Sequence, residues 1–181
     1  MQHRLVELDA CDLDAHGIEI YADRPRELWE GRVGERLTTR PLDAGDLLGE
    51  LDDPESEDFE GLPDGTVMGH VHLRVAEVPA TLDFYRDVLG FDLMAAYGTQ
   101  AVFLAADGYH HHVGANTWES AGAPPPPEGS AALLQATVVL PTSEARDELA
   151  GRVMAAGQEP DDAPEGPLVR DPSGNALVLA R

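Results

Sequence analysis

The sequence predicts an α+β protein of two tandem βαβββ modules preceded by a two-strand amino-terminal arm. Short runs alternate apolar and polar residues with period two, one stretch in each half switches to helical spacing, and the order strand, helix, three strands occurs twice. In the arm, 3–8 and 17–22 read as strands, joined by the turn-forming Asp12-Leu13-Asp14-Ala15-His16-Gly17. Residues 23–66 then lose periodicity. Leu42, Leu47, Leu48 and Leu51 suit one short helix there, and the acidic run from Asp52 to Glu60 suits a solvated linker.

From Met68 the texture changes. Gly69-His70-Val71-His72-Leu73-Arg74-Val75 reads as a strand, and Leu82, Phe84, Tyr85, Val88 and Leu89 repeat at helical spacing until Gly90 stops the helix. Strands are expected at about 91–97, 100–106 and 109–115. After the loop holding Pro124-Pro125-Pro126-Pro127 the order recurs, with a strand at about 132–140, a helix from Thr142 to about Ala156, and strands near 158–162, 166–170 and 175–180. The expected division is therefore an arm and linker over 1–66 and a domain over 67–181, with modules at about 68–118 and 131–181. An internal repeat supports it, because 12–20 lines up with 171–179 as a turn feeding a final strand. The arm thus resembles the last two strands of a further module.

The charge narrows the function classes. With 34 acidic and 12 basic residues the formal charge is −22, and every basic residue is Arg. Such a surface repels itself at low salt, and concentrated electrolyte, with a Debye length of ~3 Å at 1 M, removes much of that cost. We read it as adaptation to a halophile's salt-rich cytoplasm. Nucleic acid and anionic membranes are excluded as partners, since both need clustered positive charge. The single Cys11 leaves no internal disulfide and no Cys-based zinc site. No stretch approaches the ~20 apolar residues of a membrane span, and 1–20 lack a signal-peptide pattern, so a cytoplasmic location is expected.

Four stretches carry a family resemblance: Gly69 to Val75, Leu82-Asp83-Phe84-Tyr85-Arg86-Asp87-Val88-Leu89-Gly90-Phe91, Gly108-Tyr109-His110-His111-His112 running to Asn116-Thr117-Trp118, and Asp171-Pro172-Ser173-Gly174-Asn175. In that order and spacing they resemble the vicinal oxygen chelate superfamily, and the histidine-rich stretch with its following proline loop resembles the two-domain catechol 2,3-dioxygenase-like branch. The resemblance covers 68–181 and reaches back to the arm. It implies that the modules pair into a curved, incomplete barrel whose cavity holds a divalent metal. Extradiol enzymes of this kind hold Fe(II) or Mn(II) with two His and one Glu, leaving positions open for a catecholate and dioxygen. A neutral His beside the metal serves as acid or base.

Carried over residue by residue, the resemblance puts the first ligand at His70. The second falls at Gln135 and the final-strand Glu at Val178, neither of which suits such a metal. Glu19, in the repeat copy of that last strand, keeps the carboxylate. His110 and His112, two apart on an expected strand, share a face, and the resemblance places His112 at a further metal position. The metal candidates are therefore His70, His112 and Glu19, with His112 and His110 as catalytic candidates. His72, Gln135, Trp118 and Asn116 are candidates for lining a pocket for a small aromatic molecule. Each has an ordinary alternative: His70 and His72 as core histidines, the histidine run as solvated surface, Trp118 and Trp29 as packing anchors, Glu19 as a remnant of a lost module. Two open-edged strands in the arm invite pairing with another chain, so a homodimer is expected. Three functional readings stand: a metal-dependent extradiol dioxygenase, a degenerate small-molecule-binding module of the glyoxalase and bleomycin-resistance type, and a truncated form of a longer enzyme.

Overall fold

The structure, a computed structural model, describes residues 7–11, 16–36, 45, 49 and 61–181. The chain divides into two compact units, Met1–Gly69 and His70–Arg181. In the first, β1 (Glu7–Cys11) pairs antiparallel with β2 (Gly17–Tyr21), Glu7 opposite Tyr21 and Asp9 opposite Glu19. Of the strand expected at 3–8, residues 3–6 fall outside the described residues, and the pairing continues past it to Cys11. So do the turn residues 12–15, the expected helix at Leu42, Leu47, Leu48 and Leu51, and the linker from Asp52 to Glu60. A 3-10 turn (Arg26–Leu28) and the short α1 (Val33–Arg36) follow, and Trp29 anchors this stretch by donating its indole N–H to the Arg24 carbonyl at 2.9 Å.

The second unit holds both expected modules. The first runs β3 (Val71–Arg74), α2 (Val78–Leu82, continuing as a wider turn over Asp83–Val88), β4 (Asp92–Tyr97), β5 (Ala101–Ala105) and β6 (Val113–Asn116). The second runs β7 (Ala136–Val139), α3 (Ser143–Ala155), β8 (Asp161–Ala163), β9 (Gly166–Arg170) and β10 (Ala176–Ala180). Each module makes one four-stranded mixed sheet, ordered β3-β6-β5-β4 and β7-β10-β9-β8. In both, the first strand lies parallel to the last, as the crossover helix requires. The sheets are not closed into a barrel.

The helix ends follow from local chemistry. Pro79 sits in the first turn of α2, where a missing N–H costs nothing. The helix widens where Leu89 N–H donates to the Phe84 carbonyl, five residues back, at 3.0 Å, and it stops at Gly90 with φ +85°. The Thr142 hydroxyl caps α3 by accepting from Ala145 N–H at 3.1 Å.

One apolar core serves both modules. Leu73, Val75, Phe84, Tyr85, Leu89, Val102, Leu104 and Val113 of the first module cluster with Leu149, Val153, Val169, Leu177 and Leu179 of the second. Each such side chain, taken fully out of water, contributes about 1.5–3 kcal/mol. Polar ties cross the same junction. Arg152 of α3 donates to the Leu89 carbonyl at 2.9 Å, capping the end of α2 with positive charge.

The Asp171-to-Asn175 turn, read from the sequence as a family motif, is a clasp. Asp171 is buried and accepts from Ser173 N–H (2.8 Å), Asn175 N–H (2.9 Å) and the Asn175 amide (2.8 Å). Ser173 Oγ accepts from Ala76 N–H at 2.9 Å, the Asn175 amide donates to the Arg74 carbonyl at 3.2 Å, and the Tyr85 hydroxyl donates to Asp171 at 3.4 Å. Burial, with the Asp171 charge adding to it, pushes the Tyr85 phenol far up and keeps it protonated as the donor.

Candidate metal centre

The site grows from the mismatch between a regular ladder and the loop that interrupts it. β3 and β6 are parallel neighbours with His72 opposite Gly114, and β5 lies on the far side of β6. After β5 the chain turns through Asp107 and Gly108, at φ +55° and +64°. Ala106 N–H donates to His112 Nδ1 at 3.2 Å and Tyr109 N–H donates to the Ala106 carbonyl at 3.3 Å. Pairing resumes only at His112, whose N–H donates to the Leu104 carbonyl at 2.8 Å and whose carbonyl accepts from Val71 N–H at 3.0 Å.

The strand expected at 109–115 therefore begins at Val113. Residues 109–111 lie outside it, so the alternation rule that paired His110 with His112 does not apply to them. The structure brings His111 to His70 and His72. These three histidines each offer a ring nitrogen, and the three atoms lie within 4.8 Å of one another. His111 Nε2 stands 3.3 Å from His72 Nε2, and the His70 and His111 rings sit 4.2 Å apart between centroids. His111 is buried, His70 half-buried and His72 exposed, so the trio closes inward and opens to solvent at His72. Phe103 forms an apolar wall, 5.1 Å from the His111 ring and 6.1 Å from the His72 ring between centroids.

The donor set suits a divalent ion in kind. With metal–nitrogen bonds of about 2.1 Å, adjacent ligand atoms stand roughly 3–3.4 Å apart; the His72–His111 separation of 3.3 Å matches that edge, and the full set, spread over up to 4.8 Å, tightens if all three are to ligate one ion. Three neutral imidazoles suit iron, zinc, copper or nickel better than manganese, which prefers oxygen donors.

His112 has a different role in the loop. Its Nδ1 takes the Ala106 N–H, which leaves the ring proton on Nε2. Burial pushes its pKa down; His70 adds to that fall and Asp107 opposes it. His110 is buried beside the trio, with its Nδ1 2.9 Å from His111 Nδ1. Glu19 stands on β2 of the amino-terminal unit.

Gln135 is exposed and precedes β7, which starts at Ala136 rather than near 132. Val178 is fully buried on β10, opposite Thr137 and Leu168. Asn116 is the last residue of β6 and Trp118 follows it; Asn116 lies four residues beyond His112, or ~13 Å at strand rise. The Asn116 side chain is engaged locally, accepting from Trp118 N–H at 3.3 Å, and Trp118 is exposed. A cleft of about 240 Å³ at the module junction, lined by Ala76, Glu77, Ala80, Gly122, Pro172 and Ser173, involves none of the histidines.

Sequence reasoning missed two residues. His111 is not among the sequence candidates, although Asp107-Gly108 is a turn signal that could have placed the run outside a strand. Gly114 lies beneath the His72 ring, where a Cβ would come within 2.6 Å of Nδ1 and 2.7 Å of Cε1. Because His72 is exposed and can swing away, Gly114→Ala is expected to fold with a stability loss of about 1 kcal/mol or less while weakening Co(II) binding at least ~10-fold. A Co(II) titration beside a thermal melt checks both, and unchanged Co(II) affinity would remove Gly114 from the site.

Paired βαβββ modules with such a cluster beside one sheet define the class: residues 67–179 match the Glyoxalase/Bleomycin resistance protein/Dioxygenase superfamily, and the chain belongs to it. The Catechol-2,3-dioxygenase of Bacillus subtilis (strain 168) is 41% identical to this chain over 169 residues, 92% of this chain and 59% of that protein. The chain thus spans about three fifths of that relative's length. Among solved structures, the glyoxylase/bleomycin resistance protein/dioxygenase domain from Frankia sp. EAN1pec superposes with a TM-score of 0.50 at 20% identity, covering 64% of this chain and 98% of that one. An integron cassette protein from the mobile metagenome of the Halifax Harbour sewage outfall superposes equally, at 0.50, with 15% identity over 64% of this chain and 98% of that one. At these identities the likeness concerns the fold alone. No helix among the described residues is long and apolar enough to cross a membrane.

Proposed function

We propose that this chain is a metal-dependent oxidoreductase of the extradiol ring-cleaving type, acting on a small catechol-like aromatic molecule, with a divalent metal held by His70, His72 and His111. The observation that carries the reading is the convergence of those three ring nitrogens; the 41% identity to a catechol-2,3-dioxygenase supports the substrate class. The donor chemistry favours Fe(II) over Mn(II). When bound, the metal supplies a Lewis-acidic centre for two vicinal oxygens and dioxygen. His70 and His111 hold the buried side of the centre, His72 holds the solvent side, and Phe103 offers an apolar face to an aromatic ring. His112 keeps a proton at Nε2, available to a substrate oxygen.

The test is anaerobic purification, iron loading, and oxygen uptake over a panel of catechols. Stoichiometric iron with ring-cleavage product supports the proposal, and absence of both would sink it. A second reading is favoured by Gln135 and Val178, which stand where the resemblance expects ligands: the chain binds a small aromatic molecule without transforming it. Tight binding of a catechol with no oxygen uptake by iron-loaded protein would select that reading.

His112 also makes stability depend on pH. Its folded pKa is below the ordinary 6.5, so the unfolded chain binds more protons and stability falls as pH drops below ~6.5. Protonating Nδ1 also breaks the bond from Ala106. In His112→Asn, whose amide oxygen can still accept from Ala106 N–H, the loss of stability between pH 7.5 and 5.5 is expected to become shallower; equal slopes in chemical denaturation would contradict this role.

The reading of the lysine-free, −22 surface as a halophile's adaptation belongs to the same proposal. The melting temperature is then expected to rise steeply as KCl goes from 0.1 M to 1 M and the Debye length falls from ~10 to ~3 Å. A flat response would reject salt adaptation.

A further inference from the structure

We infer that His110 is the positioning residue for the His111 imidazole, holding it in the tautomer and orientation that leave Nε2 free to ligate. The inference rests on the metal reading of His70, His72 and His111 and adds to it a residue that touches no metal.

Two ring nitrogens 2.9 Å apart in a buried place, His110 Nδ1 and His111 Nδ1, are joined by one proton. When His111 donates it, His111 Nε2 carries a lone pair, and that atom faces His72 Nε2 at 3.3 Å. The reverse arrangement would put the proton on His111 Nε2 and aim it into the site, where it would oppose a cation.

His110 is itself held. Tyr109 lies along its ring, 4.0 Å between centroids at 36°, and also along His112, 4.8 Å at 32°. His112 is tied to the start of the loop through Ala106 N–H. His111 thus gains what a ligating imidazole needs, a fixed partner on its second nitrogen. This explains why three consecutive histidines have three different tasks. His112 closes the loop, His110 orients, and His111 reaches the site.

The experiment titrates Co(II) into folded wild type, His110→Ala and His110→Asn, reading the visible Co(II) bands and the melting temperature. An Asn side chain can place its oxygen near the position of His110 Nδ1. The expected result is ~10–100-fold weaker Co(II) binding in His110→Ala, with recovery to within a few-fold of wild type in His110→Asn. Equal affinity in wild type and His110→Ala would overturn the positioning role while leaving the metal site intact. Equal weakening in both variants, tracking an equal loss of thermal stability, would overturn it in favour of plain packing. Wild type that takes up no Co(II) would overturn the metal reading itself and the inference with it.

Discussion

Iron-loaded protein carrying His72→Ala or His111→Ala is expected to lose its metal, with affinity falling by more than ~100-fold in each case, beyond the usual cost of removing an outer hydrogen-bond partner. The two variants should differ in everything else. His111 is buried, 5% exposed, so its truncation leaves a void and removes the contact with His110 Nδ1. A stability loss of about 1–3 kcal/mol is expected from the two together. His72 is exposed, and its truncation should leave the melt almost unchanged. Metal content by plasma mass spectrometry, read beside denaturant unfolding, separates the effects. Retention of iron by His72→Ala would reduce the site to His70 and His111 and remove its open side.

The largest structural effect is expected from Gly166→Ala at the hairpin between β8 and β9. Gly166 adopts φ +149°, and a Cβ there would overlap the backbone carbonyl of Leu179 on β10. Unlike the His72 ring above Gly114, that carbonyl cannot swing aside, because β10 is paired on both sides, to β7 and β9. Strained φ and a backbone clash, each costing about 1–3 kcal/mol, act together. A loss of about 3 kcal/mol or more, measured by urea unfolding, is the expected outcome. A loss below 1 kcal/mol would mean that the β8–β9 hairpin shifts freely against β10.

The site variants and Gly166→Ala bear on different layers of the molecule, and those layers were not equally legible in the sequence. The strand and helix order of both modules was readable because helix spacing and strand alternation each persist over enough residues to be told apart. The α3 start at Thr142, the stop at Gly90 and strands β4, β5, β9 and β10 lie within a residue or two of expectation. Errors cluster where pairing ends. β6 starts at Val113 rather than 109, β7 at Ala136 rather than 132, and β8 at Asp161 rather than 158. A local pattern does not say where a neighbouring strand runs out.

The site shows the same limit. His70 was identifiable as a metal candidate and His72 as a pocket candidate from a shared strand motif, and residue type alone told against Gln135 and Val178, where the resemblance expects ligands. The choice among His110, His111 and His112 was only half readable: Asp107-Gly108, both at positive φ, signal a turn, but the bond from Ala106 N–H to His112 that sets the loop's register does not show in the local pattern. A face assigned by alternation reverses when the chain leaves the extended conformation by one residue.

By itself, then, the sequence determined the class of fold, the number of modules, the acidic lysine-free surface and the set of histidines available. Period, composition and charge are properties of neighbouring residues and need no knowledge of what lies across the chain. Only the tertiary structure decided that the Asp171-to-Asn175 motif is a clasp between modules, that Val178 is core, and that His111 completes the trio. Those outcomes depend on contacts between residues far apart in sequence, His72 with His111 and Tyr85 with Asp171, which no local pattern encodes.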